Sequence, residues 1–239
     1  MKYLRLLLLL PALLLSGCID FAQSLWVNED GSGRMQLTIG LSEQLMKVTG
    51  ALKADKDLCS EFYRDKDHLS QQPGIRTVEM KHQLEAGIYY CILDISVDDF
   101  QKLNLLQGEA LKDSQATREK QDYDANFELK RKDDTGTFTQ LIRNRIAERK
   151  RNPDTSIDAQ AEHIAKTLLA QMVTGKYWVV TLHAPVITKT NGKLSEDKKT
   201  VTWKIPFYDL FISEDYQLEM QAEFIIKLPW YKKVWKWVT

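Results

Sequence analysis

Val78-Glu79-Met80-Lys81-His82-Gln83-Leu84, then Glu85-Ala86-Gly87, then Ile88-Tyr89-Tyr90-Cys91-Ile92-Leu93-Asp94-Ile95-Ser96-Val97, is the stretch from which the fold is read. In its first part Val78, Met80, His82 and Leu84 alternate with Glu79, Lys81 and Gln83. Successive side chains of a strand point to opposite faces, so this period of two puts the apolar set on one side. Glu85-Ala86-Gly87 supplies a turn, and Cys91, Leu93, Ile95 and Val97 repeat the period on the way back. Two such runs joined by a short turn pair antiparallel. One face of the hairpin then has to be covered, and His82 falls among its core positions.

The same signal recurs on both sides. Upstream, Leu25 and Val27 lead into the turn Asn28 to Gly33, and Met35, Leu37, Ile39 and Leu41 return, with residues 19–24 read as a polar tether. The acidic turn lacks the spacing of a calcium loop, so no metal is expected there. Downstream, Tyr123, Ala125, Phe127 and Leu129 alternate with polar neighbours, Asp133 to Gly136 turns, and Phe138 to Arg143 returns. Residues 177–182 are apolar on both faces, as in a central strand. Residues 186–189, the Asn191-Gly192 turn and residues 199–205 read as another hairpin, and Tyr216, Leu218, Met220, Ala222 and Phe224 as a final strand. Helices are predicted over residues 42–53, 57–67 and 98–106, and over 155–174, where Ile157, Ala161, Ile164, Leu168 and Met172 share a stripe that Gly175 ends. Hairpins separated by helices predict an α+β fold, a mostly antiparallel curved sheet with helices packed on one face. Such a sheet could curl around an apolar pocket.

Residues 1–17 combine Lys2 and Arg5, a leucine-rich run and small residues before a cut site, the pattern of a secretory signal. Residues 4–15 are too short to span a bilayer, which takes about 20. Leu15-Ser16-Gly17-Cys18 resembles the lipobox of bacterial lipoproteins, which implies acyl chains such as palmitate on Cys18 after removal of residues 1–17. Export into an oxidising compartment predicts a disulfide between the two remaining cysteines, Cys59 and Cys91, in preference to two buried thiols. It would tie a helix to the sheet. Loss of Lys2 and Arg5 tips a chain with 33 basic and 33 acidic residues slightly negative, which argues against nucleic acid as a partner. The basic residues between Arg143 and Arg151, with Arg131 nearby, read as a solvated face, the alternative being contact with anionic head groups.

No motif carries catalysis. Gly-x-Ser-x-Gly, His-Glu-x-x-His, Cys-x-x-Cys and a phosphate loop are all absent, and His68, His82, His163 and His183 lie on separate elements. No catalytic residue, cofactor or metal site is expected. The segment 228–239 is different in kind. Wound as a helix, it puts Trp230, Tyr231, Trp235 and Trp237 on one side and Lys232, Lys233 and Lys236 on the other. That is the composition of a helix lying at a membrane interface, favoured over a tail docked on the protein's own body. The chain therefore divides into a signal (1–17), one periplasmic domain (18–227) and this amphipathic segment.

At Asp30-Gly31-Ser32-Gly33, and at Asn191-Gly192 followed by Thr200-Val201-Thr202-Trp203, the chain resembles the LppM-type lipoprotein domain. The resemblance implies a β-rich body behind a lipobox and a non-enzymatic role in binding lipid or another apolar envelope molecule. It carries over no functional residue. Family members often close with a transmembrane helix, where this chain has its Trp/Lys segment. The competing expectation is an interaction subunit that scaffolds an envelope complex. Ile19 stands where an aspartate would mark retention at the inner membrane, so the outer membrane is favoured.

Overall fold

The computed structural model describes residues 19–43, 46–47, 59, 69–106, 123–144, 166–167, 169–213 and 215–226. They contain eleven strands: β1 (Ile19–Val27), β2 (Gly33–Ser42), β3 (Ile75–Glu85), β4 (Ile88–Val97), β5 (Tyr123–Lys132), β6 (Thr135–Asn144), β7 (Tyr177–His183), β8 (Val186–Thr190), β9 (Lys193–Leu194), β10 (Thr200–Pro206) and β11 (Gln217–Ile225). One sheet of seven strands runs β3-β4-β2-β1-β7-β10-β9, and one of four runs β5-β6-β11-β8. Pairing is antiparallel throughout except between β1 and β7.

This overturns the α+β expectation. Among the described residues the helices are a 3-10 helix at Phe100–Asn104 and a short α-helix at Phe207–Phe211, beside a few helical residues such as 169–173. Alternating strands each offer one apolar face, and here two sheets cover each other instead of one sheet being covered by helices. Most of each predicted helix over 42–53, 57–67 and 155–174 lies outside the described residues. Where residues 98–106 were read as a capped helix, Asp99 accepts from the Gln101 amide at 3.0 Å and opens the 3-10 helix. Gly175, at φ 74°, follows helical residues 169–173 as the sequence predicts.

Both sheets contribute to one core. Leu25, Ile95, Leu182 and Ile205 of the larger meet Leu129, Phe138, Ile142 and Phe224 of the smaller, all within 1% of full burial. Phe138 packs on Trp203 with ring centroids 5.5 Å apart, and Phe100 meets Phe224 edge-on at 5.8 Å. Asparagines stitch the layers where ladder hydrogen bonds cannot reach. Asn191 Oδ1 accepts from Trp203 Nε1 on β10 and from the Gln221 amide on β11, both at 2.9 Å. Asn104 donates to the Leu129 carbonyl and accepts from its amide, each at 2.8 Å.

Three other readings are corrected. Residues 19–24 are no tether but the first part of β1, in the middle of the larger sheet. Ile19, Phe21, Gln23, Leu25 and Val27 share one face, and the polar Gln23 hid that period. The strands flanking Asn191-Gly192 do not form a hairpin: β8 joins the smaller sheet through β11, and β10 the larger through β7. His82 is exposed on the edge strand β3 and stacks on Tyr89, with centroids 6.2 Å apart. An edge strand has a neighbour on one side only, so its alternation need not bury a full face.

Candidate functional site

Of the residues singled out by sequence, Cys59 and Cys91 are joined, with a Cα–Cα distance of 5.3 Å. Cys91 lies on the inner face of β4 and Cys59 in a helical position, both buried. Cys18, Trp230, Tyr231, Lys232, Lys233, Trp235, Lys236 and Trp237 lie outside the described residues, as do His68 and His163. Arg131 is half-buried and held by Asp99 at 2.7 Å, its guanidinium 5.9 Å from the Phe100 ring, so it serves the fold.

Sequence reasoning missed two arrangements. The first is on the inner face at the start of β1. Register pairs Ile19 with Leu41, Phe21 with Ile39 and Gln23 with Leu37 on β2, and Phe21 with Trp178 on the parallel β7. Leu25 and Val27 are sealed in the core, whereas Ile19, Phe21, Leu37, Ile39 and Leu41 are half-buried. They form an apolar strip at the margin of the core. Phe21 meets Trp178 edge-on at 5.0 Å. At the inner end of the strip Gln23 is 3% exposed and faces Gln140 of β6, 1% exposed, which donates to it through Nε2 at 3.4 Å. Gln23 Nε2, Gln140 Oε1 and Trp178 Nε1 are buried without a hydrogen-bond partner among the described residues. Leaving such an atom unmet costs about 1–3 kcal/mol, which makes the cluster unusual inside a close-packed core.

The second crosses the outer face of the larger sheet. Register aligns Thr77, Ser96, Arg34, Trp26, His183 and Thr200 on six adjacent strands. Thr77 and Ser96 share a hydrogen bond of 2.5 Å, and Arg34 is paired with Asp94 and lies 4.8 Å from the Trp26 ring centre. Trp26 stacks on His183 at 5.0 Å and 7°, and His183 Nδ1 meets Thr200 Oγ1 at 3.1 Å. Its flanking partners Arg34 and His183 cover the faces of Trp26, so the row is cross-strand packing and offers no aromatic platform. The hydrogen bond from Arg34 holds the Asp94 carboxyl below the usual carboxylate range.

Burial pushes the His183 imidazole below its ordinary value of 6.5. The unfolded chain therefore takes up this proton at a higher pH than the folded one. His183 should contribute stability that is complete above pH 6.5 and lost as pH falls through the lowered value. Urea midpoints at pH 7.5 and 5.0 should differ less in His183→Phe, which keeps a ring on Trp26 but cannot titrate. An unchanged difference would refute the assignment.

No protein-family model matches the chain, and no curated protein matches it. Among solved structures, the folded domain of LppM from Mycobacterium tuberculosis is similar at a TM-score of 0.46 and 15% identity, covering 87% of this chain and 92% of that one. The Fcho1 mu homology domain from Danio rerio, solved with a bound Eps15 peptide, gives a TM-score of 0.25 and 8% identity, over 88% of this chain and 80% of that one. The resemblance to the LppM-type domain read from the turns is met by this loose similarity, spread over most of both chains.

Proposed function

We propose that this chain is a lipid-anchored protein of the bacterial cell envelope, facing the periplasm, that binds a lipid or another apolar molecule without catalysing a reaction. The observation that carries the binding reading is the apolar strip Ile19, Phe21, Leu37, Ile39 and Leu41, half-buried beside a sealed core. An apolar surface that ends in a few converging polar groups is the usual form of a ligand site. Anchoring rests on Leu15-Ser16-Gly17-Cys18. Cys18 immediately precedes the first residue of β1, so acyl chains there would hold the outer end of the strip at the bilayer. The outer membrane is favoured because Ile19, and no aspartate, follows Cys18.

Cys18→Ala should move the protein from the membrane pellet to the soluble fraction. Retention in the pellet after a carbonate wash would refute lipid anchoring. Deleting residues 228–239 should leave fractionation unchanged, because two anchoring signals or two chains already give stable attachment. In the Cys18→Ala form, tryptophan emission should shift blue on anionic vesicles, and less at high salt. No shift at low salt would place the tryptophans on the protein itself.

A second reading, a scaffold subunit of an envelope complex, is favoured by β3. Among the described residues this edge strand of 11 residues pairs with β4 alone, and it leaves Leu84 63% exposed. Such an edge can accept a strand from another protein. Native mass spectrometry of gently extracted protein separates the two: copurifying lipid supports the first, a stoichiometric protein partner the second.

A further inference from the structure

We infer that Gln23, Gln140 and Trp178 form a socket for the neutral hydroxyl head of a single-chain amphiphile whose tail lies along the Ile19–Phe21 strip. The inference rests on the apolar-binding reading above and adds the chemistry of the head group. Gln23 is 3%, Gln140 1% and Trp178 4% exposed, and each carries a polar atom without a partner among the described residues. Register makes Trp178 and Gln23 diagonal neighbours on one face of the parallel β1–β7 pair, since Phe21 aligns with Trp178 and Gln23 with Val180. Gln140 closes the cluster from the opposite sheet through its hydrogen bond to Gln23.

The unmet atoms are two donors, Gln23 Nε2 and Trp178 Nε1, and one acceptor, Gln140 Oε1. Turning both amides over leaves the set unchanged, because the glutamine pair then still offers one donor and one acceptor. A hydroxyl accepts twice and donates once, so it matches all three. A carboxylate only accepts and would leave Gln140 Oε1 facing a negative oxygen; an ammonium only donates and would oppose the two N–H groups. Among the described residues no charged side chain is among the buried polar ones, so a charged head would also enter without a counter-ion from them. From Ile19 to Gln23 the strand covers about 13 Å at its usual rise, room for a chain running back toward Cys18. A ligand entering at Ile19 would come from the bilayer side.

Native mass spectrometry of the intact lipidated protein, mixed with 1-dodecanol, dodecane or dodecanoate at pH 8, tests this. One dodecanol should bind per chain, about tenfold more tightly than dodecane or dodecanoate, as one to two hydrogen bonds would give. Gln23→Leu/Gln140→Leu, which replaces both amides by apolar groups, should bind dodecanol and dodecane alike. Trp178→Phe, which keeps a ring and removes the N–H, should lose part of the preference. Equal binding of dodecanol and dodecane by the unaltered protein would overturn the socket and leave the strip standing. Preference for dodecanoate, or a preference that survives in both variants, would overturn it as well. Absence of binding by all three probes would remove the apolar-binding reading, and the socket with it.

Discussion

Phe224→Ala should lower the unfolding free energy by about 3–5 kcal/mol, a large share of the roughly 5–15 kcal/mol that a domain possesses. Phe224 is fully buried on β11, meets Phe100 edge-on, and lies opposite Gly136 of β6 in the register. Its ring covers that glycine so closely that a methyl group built at Gly136 would overlap it. The glycine and the phenylalanine are one packing unit, which gives the prediction a second arm. Gly136→Ala alone should cost about 1–3 kcal/mol by overpacking. On the Phe224→Ala background the same methyl enters the space the ring has left, and its cost should fall toward zero or change sign. A double-mutant cycle by urea unfolding reads this coupling directly. Additive effects would mean that the sheet relaxes away from the ring, and would refute the unit.

Replacing Cys59 and Cys91 together with serine should cost about 3–4 kcal/mol, as the chain-entropy model gives for a closed loop of this size. The two cysteines are 32 residues apart and both buried. The bridge fastens the segment carrying Cys59 to β4, whose outer neighbour is the edge strand β3. Unfolding with and without dithiothreitol separates the bond from the side chains. Reductant should lower the midpoint of the native protein and leave the serine variant unmoved. A native midpoint indifferent to reductant, or two free thiols by mass spectrometry of unreduced peptides, would refute the structural role. Cys91 lies opposite Ile39 in the β2–β4 register, so loss of the bond removes a covalent brace beside the Leu37–Ile39–Leu41 side of the apolar strip, and any ligand binding should weaken with it.

Alternation alone located most strands. Val78 to Leu84, Cys91 to Val97, Phe127 to Leu129 and Leu218 to Phe224 all lie in strands, and their turns fall at Ala86-Gly87 and Asp133-Asp134. Counting cysteines in an exported chain paired Cys59 with Cys91. These readings succeed because they depend on local chemistry: side-chain direction along a strand, backbone freedom in a turn, the redox state of a compartment. Only the tertiary structure decided which strands share a sheet. Ladder hydrogen bonds are made by the backbone and are nearly blind to side chains, so β8 and β9, neighbours in sequence, enter different layers unannounced. The same blindness concealed β1, whose Gln23 reads as solvated until Gln140 arrives from the opposite sheet. Alternation says that a face is buried, and it is silent on what buries it. The polar cluster of Gln23, Gln140 and Trp178 exists only where two layers meet, because its members, far apart along the chain, are assembled by packing alone.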